Sequence, residues 1–373
     1  MCDACLSEFF LSSKVKMKFC ILTIFLIFLT YFTNASHAND RNFKFRLGGI
    51  QSKIESNFTK IEPRKIIKRN YLKQKDSTEH SFSNITQDSN NIAFIFYDGA
   101  SVVVENYNHG ATPETPLFVY SISKSFVGMM LLHSMCENNI NSLDKKIGDV
   151  SARLKNTIYG SVTIRNTLKM QSGVGEHFFK KEQKPMFLSF LNKKKSPIDW
   201  INEINVTNEQ GKNFWYSAND TNALGIILED ITARNIPENL NELFLKNITL
   251  SNDIYWQYAN NKEHVGAYGL MANAFDFVQM GKRFIQILDE NNCVESHFNS
   301  MMKEDRSNGK YGFQVWIHET QRGEEKRKFY AMGYGGQFLI MDRDDGSVAF
   351  IYSKEKKYEF GKVIDEFYSL KYK

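Results

Sequence analysis

The chain is poor in the features that mark the specialised classes of protein. Only 6 of its 373 residues are proline, and neither a G-X-Y register nor a sustained heptad occurs, which excludes collagen-like and coiled-coil chains. No repeat of solenoid length is present either. A hydrophobic fraction of 42% excludes a disordered chain, because burial of that much apolar area offsets the entropy of ordering. The composition therefore predicts one or two globular domains.

The charge and the missing motifs exclude several functions. The formal net charge of +5 is spread along the chain without a long basic block, so nucleic acid is not a predicted partner. After residue 38 the sequence contains no H-E-x-x-H and no paired C-x-x-C, so no metal and no cofactor are predicted. The G-x-S-x-G nucleophile elbow of α/β-hydrolases is also absent.

A single long apolar run, Phe19–Phe32, lies near the N-terminus and follows three lysines. Its 14 residues are fewer than the roughly 18 that a membrane-spanning helix needs. Small residues follow at Ser36 and Ala38, as at a signal-peptidase site. Residues 1–38 are therefore predicted to be a signal peptide, with an N-terminal membrane anchor through residues 19–32 as the alternative. We expect an exported protein, periplasmic or secreted, whose translation starts at Met1 or Met17.

The rest of the chain divides into a polar leader, residues 39–90, and a folded domain, residues 91–373. Two cysteines, Cys136 and Cys293, remain after residue 38 and allow one disulfide.

The pattern of the folded domain is strands at both ends with helices between them, which predicts an α+β fold with one antiparallel sheet and a helical insertion. Strands are predicted at Ile92–Tyr97, Ala100–Val104, Leu117–Tyr120, Tyr311–Ile317, Gln337–Met341 and Ser347–Tyr352. Helices are predicted from near Ser121 to Met135 and at Ala223–Ile231, Met271–Leu288 and Glu359–Leu370.

The first candidate for chemistry is Ser121 with Lys124, in the pattern S-x-x-K. Other serines have a lysine three residues on, but Ser121 alone stands between an apolar strand and a buried helix. Residues three apart share one face of a helix, so Lys124 can approach the Ser121 hydroxyl. The helix N-terminus offers N–H groups to an oxyanion, and a buried ammonium can become a base near neutral pH. The structural alternative is a helix cap beside a surface lysine.

Two later segments add candidates. Tyr216, before a predicted helix, could relay protons between nucleophile and leaving group, with an aromatic core cluster as the alternative. The segment Gly333-Tyr334-Gly335-Gly336-Gln337 enters a predicted strand, where glycines allow a ligand to approach the backbone, and a tight turn is the alternative.

In this order the three motifs resemble the serine β-lactamase and penicillin-binding-protein superfamily. The likeness is greatest to class C β-lactamases, D-aminopeptidases, family VIII esterases and 6-aminohexanoate-dimer hydrolases. It extends from about residue 92 to about residue 352 and includes Val162-Thr163-Ile164-Arg165 and Met170-Gln171-Ser172-Gly173.

The resemblance implies a β-lactamase/transpeptidase-like fold with its active site between two lobes. It implies that Ser121 is the acylated nucleophile, that Lys124 is its base or proton shuttle, and that Tyr216 is the second-motif tyrosine. The N–H of Ser121 and that of Tyr334 or Gly335 would form the oxyanion hole.

Two departures from the family pattern bear on the substrate. The asparagine usual two residues after the tyrosine is replaced by Ala218, and no lysine or histidine occurs between Phe329 and Gln337. The missing cation favours a neutral amide, ester or short peptide over a β-lactam. The alternatives are β-lactamase or D-Ala-D-Ala peptidase activity, or a catalytically silent scaffold on the same fold.

Overall fold

The structure is a computed structural model that describes residues 58–67, 82–175, 195–205, 207–259, 262–303, 311–318, 328–354 and 360–371. The signal peptide or anchor predicted for residues 1–38 lies outside these ranges. None of the helices within them has both the length and the apolar character needed to cross a bilayer.

Two antiparallel sheets hold the strands of the described residues. In chain order the strands are β1 (Phe58–Ile61), β2 (Asn91–Tyr97), β3 (Val102–Tyr107), β4 (Leu117–Phe118), β5 (Ile254–Gln257), β6 (Leu270–Ala272), β7 (Tyr311–Gly312), β8 (Val315–Ile317), β9 (Lys328–Gly333), β10 (Gln337–Asp342) and β11 (Ser347–Ser353). The larger sheet has the order β3-β2-β11-β10-β9-β8-β7, and the smaller has the order β1-β5-β6-β4. Strands β2 and β11, from opposite ends of the domain, are therefore neighbours, with Ile95 opposite Phe350.

Ten α-helices occur among the described residues, and the larger sheet has helices on both of its faces. They are α1 (Ser83–Thr86), α2 (Ser123–Glu137), α3 (Ile147–Val150), α4 (Ile164–Leu168), α5 (Pro197–Glu203), α6 (Ala218–Thr232), α7 (Ile236–Leu243), α8 (Ala274–Glu290), α9 (Asn292–Lys303) and α10 (Phe360–Lys371). On one face Phe277 of α8 stacks on Phe350, with ring centroids 4.8 Å apart. On the other face Phe367 of α10 packs edge-on against Phe96 of β2 at 5.3 Å.

The predicted α+β class, with a sheet built from both ends of the domain, is confirmed, but the second sheet, which includes the predicted strand at Leu117, was not predicted. Several element boundaries were wrong. The run Tyr311–Ile317 is a hairpin rather than one strand, because Phe313 and Gln314 both have positive φ and reverse the chain. The start of the helix predicted at Met271 belongs to β6, and the strand β9 was not predicted.

The segment predicted as a polar leader contributes to the fold. Its residues Phe58–Ile61 form β1, whose partner is the distant strand β5, and its helix α1 places Ile85 in the core. The polar residues between the apolar ones conceal this role, since β1 has only one buried residue, Ile61.

The two cysteines of the folded domain form a disulfide. It joins Cys136, at the C-terminal end of α2, to Cys293, at the start of α9. The bond therefore fixes the end of α2 that is remote from Ser121.

Candidate active site

Ser121 lies in a short 3₁₀ turn that leads directly into α2. The preceding residue, Tyr120, has φ = +48°, a left-handed conformation that a side chain disfavours. The Ser123 hydroxyl donates to the Tyr120 carbonyl at 2.7 Å and accepts the N–H groups of Gly269 and Leu270, each at 3.0 Å. These bonds hold the strained turn, so the half-buried Ser121 is fixed at the start of the helix.

Lys124 is only 2% exposed although it carries an amine. Its Nζ donates to the carbonyl of Ala267 at 2.8 Å, and the Ala267 N–H in turn donates to Oδ1 of Asn222 at 3.1 Å. Burial lowers the pKa of Lys124 to about 7, although the negative charge of Asp220 opposes this change. A substantial fraction of Lys124 is therefore the neutral amine near neutral pH, as a general base requires.

The Ser121 side chain is close enough to the Tyr216 hydroxyl to influence the pKa of the phenol, and the centroid of the Tyr216 ring lies 5.5 Å from Nζ of Lys124. Burial raises the pKa of the Tyr216 phenol, and the Ser121 side chain only partly opposes this. The phenol is therefore protonated near neutral pH. The pKa of Lys124 is lowered toward neutral pH, which suits this amine to act as the base. The pKa of Tyr216 is raised, so the phenol keeps a proton that it can donate.

An aromatic cluster and a pinned hairpin hold the Tyr216 ring. The ring stacks on Trp316 at 5.6 Å and meets Tyr311 edge-on at 5.7 Å. The turn between these two partners is fixed by Gln314, whose Oε1 accepts from the Thr221 hydroxyl at 2.7 Å and whose carbonyl accepts from the Ser125 hydroxyl at 2.6 Å. Helices α2 and α6 thus both anchor the wall behind Tyr216.

The third motif lies beside the nucleophile turn. Gly333, the last residue of β9, lies directly against the backbone of Val119. A Cβ at this position would be 2.2 Å from the Val119 carbonyl oxygen. The Tyr334 ring is 51% exposed and lies 5.8 Å from the ring of Tyr120. Gly335, with φ = +90°, forms the following turn and accepts from the amide of Gln337 at 3.2 Å. The fold thus places Tyr334 next to the residue that precedes Ser121.

Sequence reasoning missed Asp220, which is fully buried at the third residue of α6. Its Oδ1 accepts hydrogen bonds from the hydroxyls of Tyr159 and Ser172, both at 2.7 Å. An acid in the first turn of a helix is ordinarily explained by the helix dipole, so the sequence alone gave no reason to assign it to the site. Only the packing of α6 on α2 brings it to Lys124.

A separate cavity of about 510 Å³ lies at the C-terminal end of α6, remote from Ser121. Residues that line it include Thr59, Glu229, Arg234, Tyr258, Glu263 and His264. The Nε2 of His264 is 2.8 Å from the Thr59 hydroxyl, and burial lowers the pKa of His264 to about 4. The residues that line this cavity do not include Ser121, Lys124 or Tyr216.

Comparison with known proteins gives the same class. A family model described as Beta-lactamase matches residues 79–371, so the chain belongs to the beta-lactamase family, whose fold is that of serine hydrolases with amidase, esterase and penicillin-binding members. A search of curated proteins found no match.

Three solved structures illustrate the fold. A protein from Bacillus anthracis named as a 6-aminohexanoate-dimer hydrolase has a TM-score of 0.70 and 21% identity, over 85% of this chain and 90% of that one. A penicillin-binding protein from Bacillus halodurans has a TM-score of 0.58 and 15% identity, over 79% and 99%. A family VIII carboxylesterase has a TM-score of 0.58 and 12% identity, over 83% and 100%. At these identities the likeness shows the fold.

Proposed function

We propose that the protein is an exported serine hydrolase that cleaves ester or amide bonds of small molecules through an acyl-enzyme on Ser121. The observation that carries this proposal is the meeting of three side chains from two segments of the chain. Ser121 lies near the Tyr216 hydroxyl, and the buried amine of Lys124 lies 5.5 Å from the centroid of the Tyr216 ring. A nucleophile, a base and a proton donor within one cluster are what acyl transfer to serine requires.

The proposed reaction begins when Oγ of Ser121 bonds to the substrate carbonyl carbon and its proton passes to the neutral amine of Lys124. As the bond to the leaving oxygen or nitrogen breaks, the Tyr216 hydroxyl gives that atom its proton and is reprotonated by the Lys124 ammonium. Water then attacks the acyl-enzyme, with the same two groups taking the proton from water and returning it to Oγ of Ser121.

The oxyanion of the tetrahedral intermediate is proposed to bind between two backbone N–H groups. One belongs to Ser121, at the start of the helical segment, where N–H groups have no partner within the helix. The other belongs to Tyr334, because the approach of Gly333 to Val119 brings this residue, rather than Gly335, next to the nucleophile turn. Two such donors stabilise the charge that develops in the transition state.

The substrate proposed for this site is neutral at the end that faces the third motif. The residues from Phe329 to Gln337 carry no positive charge, and the exposed group there is the aromatic ring of Tyr334. An aromatic rim binds apolar or aromatic acyl groups, whereas a substrate carboxylate would find no cation to pair with. Neutral esters and amides are therefore preferred to β-lactams in this proposal.

Export is the second part of the proposal. It is supported by the signal peptide predicted for residues 1–38 and by the disulfide between Cys136 and Cys293, since disulfides persist in oxidising compartments. If residues 1–38 are not cleaved, residues 19–32 attach the enzyme to the membrane. The N-terminal sequence of the protein recovered from the periplasm or the medium tests the cleavage site after Ala38.

Substrate profiling tests the activity. The purified protein and its Ser121→Ala variant are compared on p-nitrophenyl esters, D-amino-acid amides and nitrocefin. We expect hydrolysis of the neutral esters or amides that is lost in the variant, and little turnover of nitrocefin. Nitrocefin as the best substrate would contradict the neutral-substrate proposal, and turnover retained by Ser121→Ala would contradict the mechanism.

A further inference from the structure

A buried acid at the site has no part in the mechanism described so far. Asp220 is 0% exposed, and its Oδ1 receives the hydroxyls of Tyr159 and Ser172. Its Oδ2 has no hydrogen-bond partner among the described residues. A carboxylate so placed is costly to bury, and such a cost is often maintained at a functional site.

The start of α6 acts on Lys124 in two ways. The charge of Asp220 attracts the Lys124 ammonium, and Asn222, two residues further on, fixes the Ala267 peptide whose carbonyl accepts from Lys124 at 2.8 Å. Ala218, where the family pattern has an asparagine, offers no polar side chain. Asp220 is thus the acidic group that this helix presents to the amine.

We propose that Asp220 is a positioning residue of the active site, whose buried carboxylate helps to hold the Lys124 amine against the Ala267 carbonyl. The proposal rests on the function proposed above, in which Lys124 accepts the proton of Ser121. Without the charge of Asp220, Lys124 would be less well placed and would lose its proton at a lower pH.

The titratable groups around Asp220 come from four segments of the chain. They are Lys124 on α2, Tyr159 in the loop before α4, Tyr216 before α6 and Tyr311 on β7. Burial raises the pKa of each of these three phenols, so they are neutral near pH 7. Burial also raises the pKa of Asp220 to about 7, an effect that the bonds from Ser172 and Tyr159 oppose. Asp220 is therefore the one acid among these groups, and it carries a negative charge whenever it is ionised.

The chain offers a matched control in Asp276. This acid is likewise the third residue of a long helix, α8, and is buried. Its carboxylate accepts from the N–H and the hydroxyl of Ser251, and burial raises its pKa to about 6. Asp276→Asn thus removes a comparable buried charge from the same kind of helix position, away from Lys124.

The test is the rate at which a fluorophosphonate labels Ser121, measured between about pH 5 and about pH 9 with the labelled peptide identified by mass spectrometry. In the wild type the rate should rise with pH through about 7, as Lys124 loses its proton. In Asp220→Asn the midpoint should move to lower pH by about one unit or more, since an opposite charge nearby ordinarily shifts a pKa by that amount, and the plateau rate should fall. In Asp276→Asn the midpoint should stay at the wild-type value.

Tyr159→Phe keeps the test decisive should Asp220→Asn fail to fold. Loss of the hydroxyl removes a bond that favours the charged form of Asp220, so the midpoint should move in the same direction by a smaller amount. A midpoint unchanged or raised in the folded variants, or moved equally in Asp276→Asn, would overturn the role of Asp220. A wild-type protein that is not labelled on Ser121 at any pH would overturn the proposed function itself, so the two failures are distinguishable.

Discussion

The two ends of helix α6 hold charged groups in opposite ways. At the N-terminal end Lys124 and Asp220 are almost entirely buried, and burial moves the pKa of both to about 7. At the C-terminal end Arg153 pairs with Glu229 at 3.0 Å and with Asp230 at 2.6 Å, and its side chain is 36% exposed. Asp220 and Asp230 are ten residues apart on this helix, so about 15 Å along its axis separates the two groups.

This difference shows which charges can perform chemistry. At the C-terminal end Glu229 and Asp230 each have the Arg153 guanidinium as a partner, so these charges are paired with one another. At the N-terminal end burial lowers the pKa of the Lys124 amine more than the charge of Asp220 raises it, so the amine can give up and accept a proton near neutral pH. The cavity that Glu229 and Glu263 line lies at the C-terminal end of α6, apart from the residues proposed for catalysis.

The largest expected effect comes from removing the cation at each end in turn. Lys124→Met keeps the buried volume but deletes the base, so turnover of an ester substrate should fall by about 10³-fold. Arg153→Met should leave turnover at the wild-type level while lowering the melting temperature, because Glu229, Asp230 and Glu263 then repel one another. Steady-state kinetics and thermal unfolding of both variants make the comparison, and similar losses of turnover would contradict it.

A smaller effect is expected when a phenol is removed at each end. Tyr216→Phe keeps the stacking on Trp316 but deletes the proton donor, so turnover should fall by about 10²-fold with little change in stability. Tyr258→Phe, in the wall of the cavity, is the matched control and should leave turnover unchanged. Full activity in Tyr216→Phe would show that the Tyr216 hydroxyl has no catalytic role.

Removal of the disulfide should change stability alone. The double variant Cys136→Ser with Cys293→Ser loses a cross-link between residues 157 apart in sequence, which should lower the free energy of unfolding by about 2 to 4 kcal/mol. Turnover should persist, because Cys136 is at the end of α2 remote from Lys124. Urea unfolding of the variant measures the loss of stability, with the reduced wild type as a control. A parallel loss of activity would contradict the prediction that the disulfide affects stability alone.

The smallest effect concerns His264 at the cavity. Burial lowers its folded pKa to about 4, below the usual value of 6.5, so the unfolded chain binds a proton that the folded chain does not. Its contribution to stability should be complete above about pH 6.5 and fall toward pH 4, by at most about 1.4 kcal/mol per pH unit. The difference between wild type and His264→Gln isolates this slope, and parallel stability curves for the two proteins would contradict it.

The candidate residues that belong to local motifs could be proposed from the sequence. Ser121 and Lys124 share one helical turn, and Tyr216 precedes the capped start of α6, so their motifs could be recognised along the chain. The α+β class followed from strands at both ends of the domain. Asp220 could not be assigned, because its charge acts on Lys124 only through the packing of two helices. The strand β1 could not be predicted either, since its partner β5 is almost two hundred residues away.

The acyl-enzyme proposed on Ser121 can be trapped and identified directly. The enzyme is quenched in acid during turnover of its best p-nitrophenyl ester and analysed by intact and peptide mass spectrometry. The proposed mechanism predicts a protein heavier by one acyl group, carried by Ser121 and absent from Ser121→Ala. Rapid hydrolysis with the acyl group on another residue, or undiminished hydrolysis by Ser121→Ala, would contradict it.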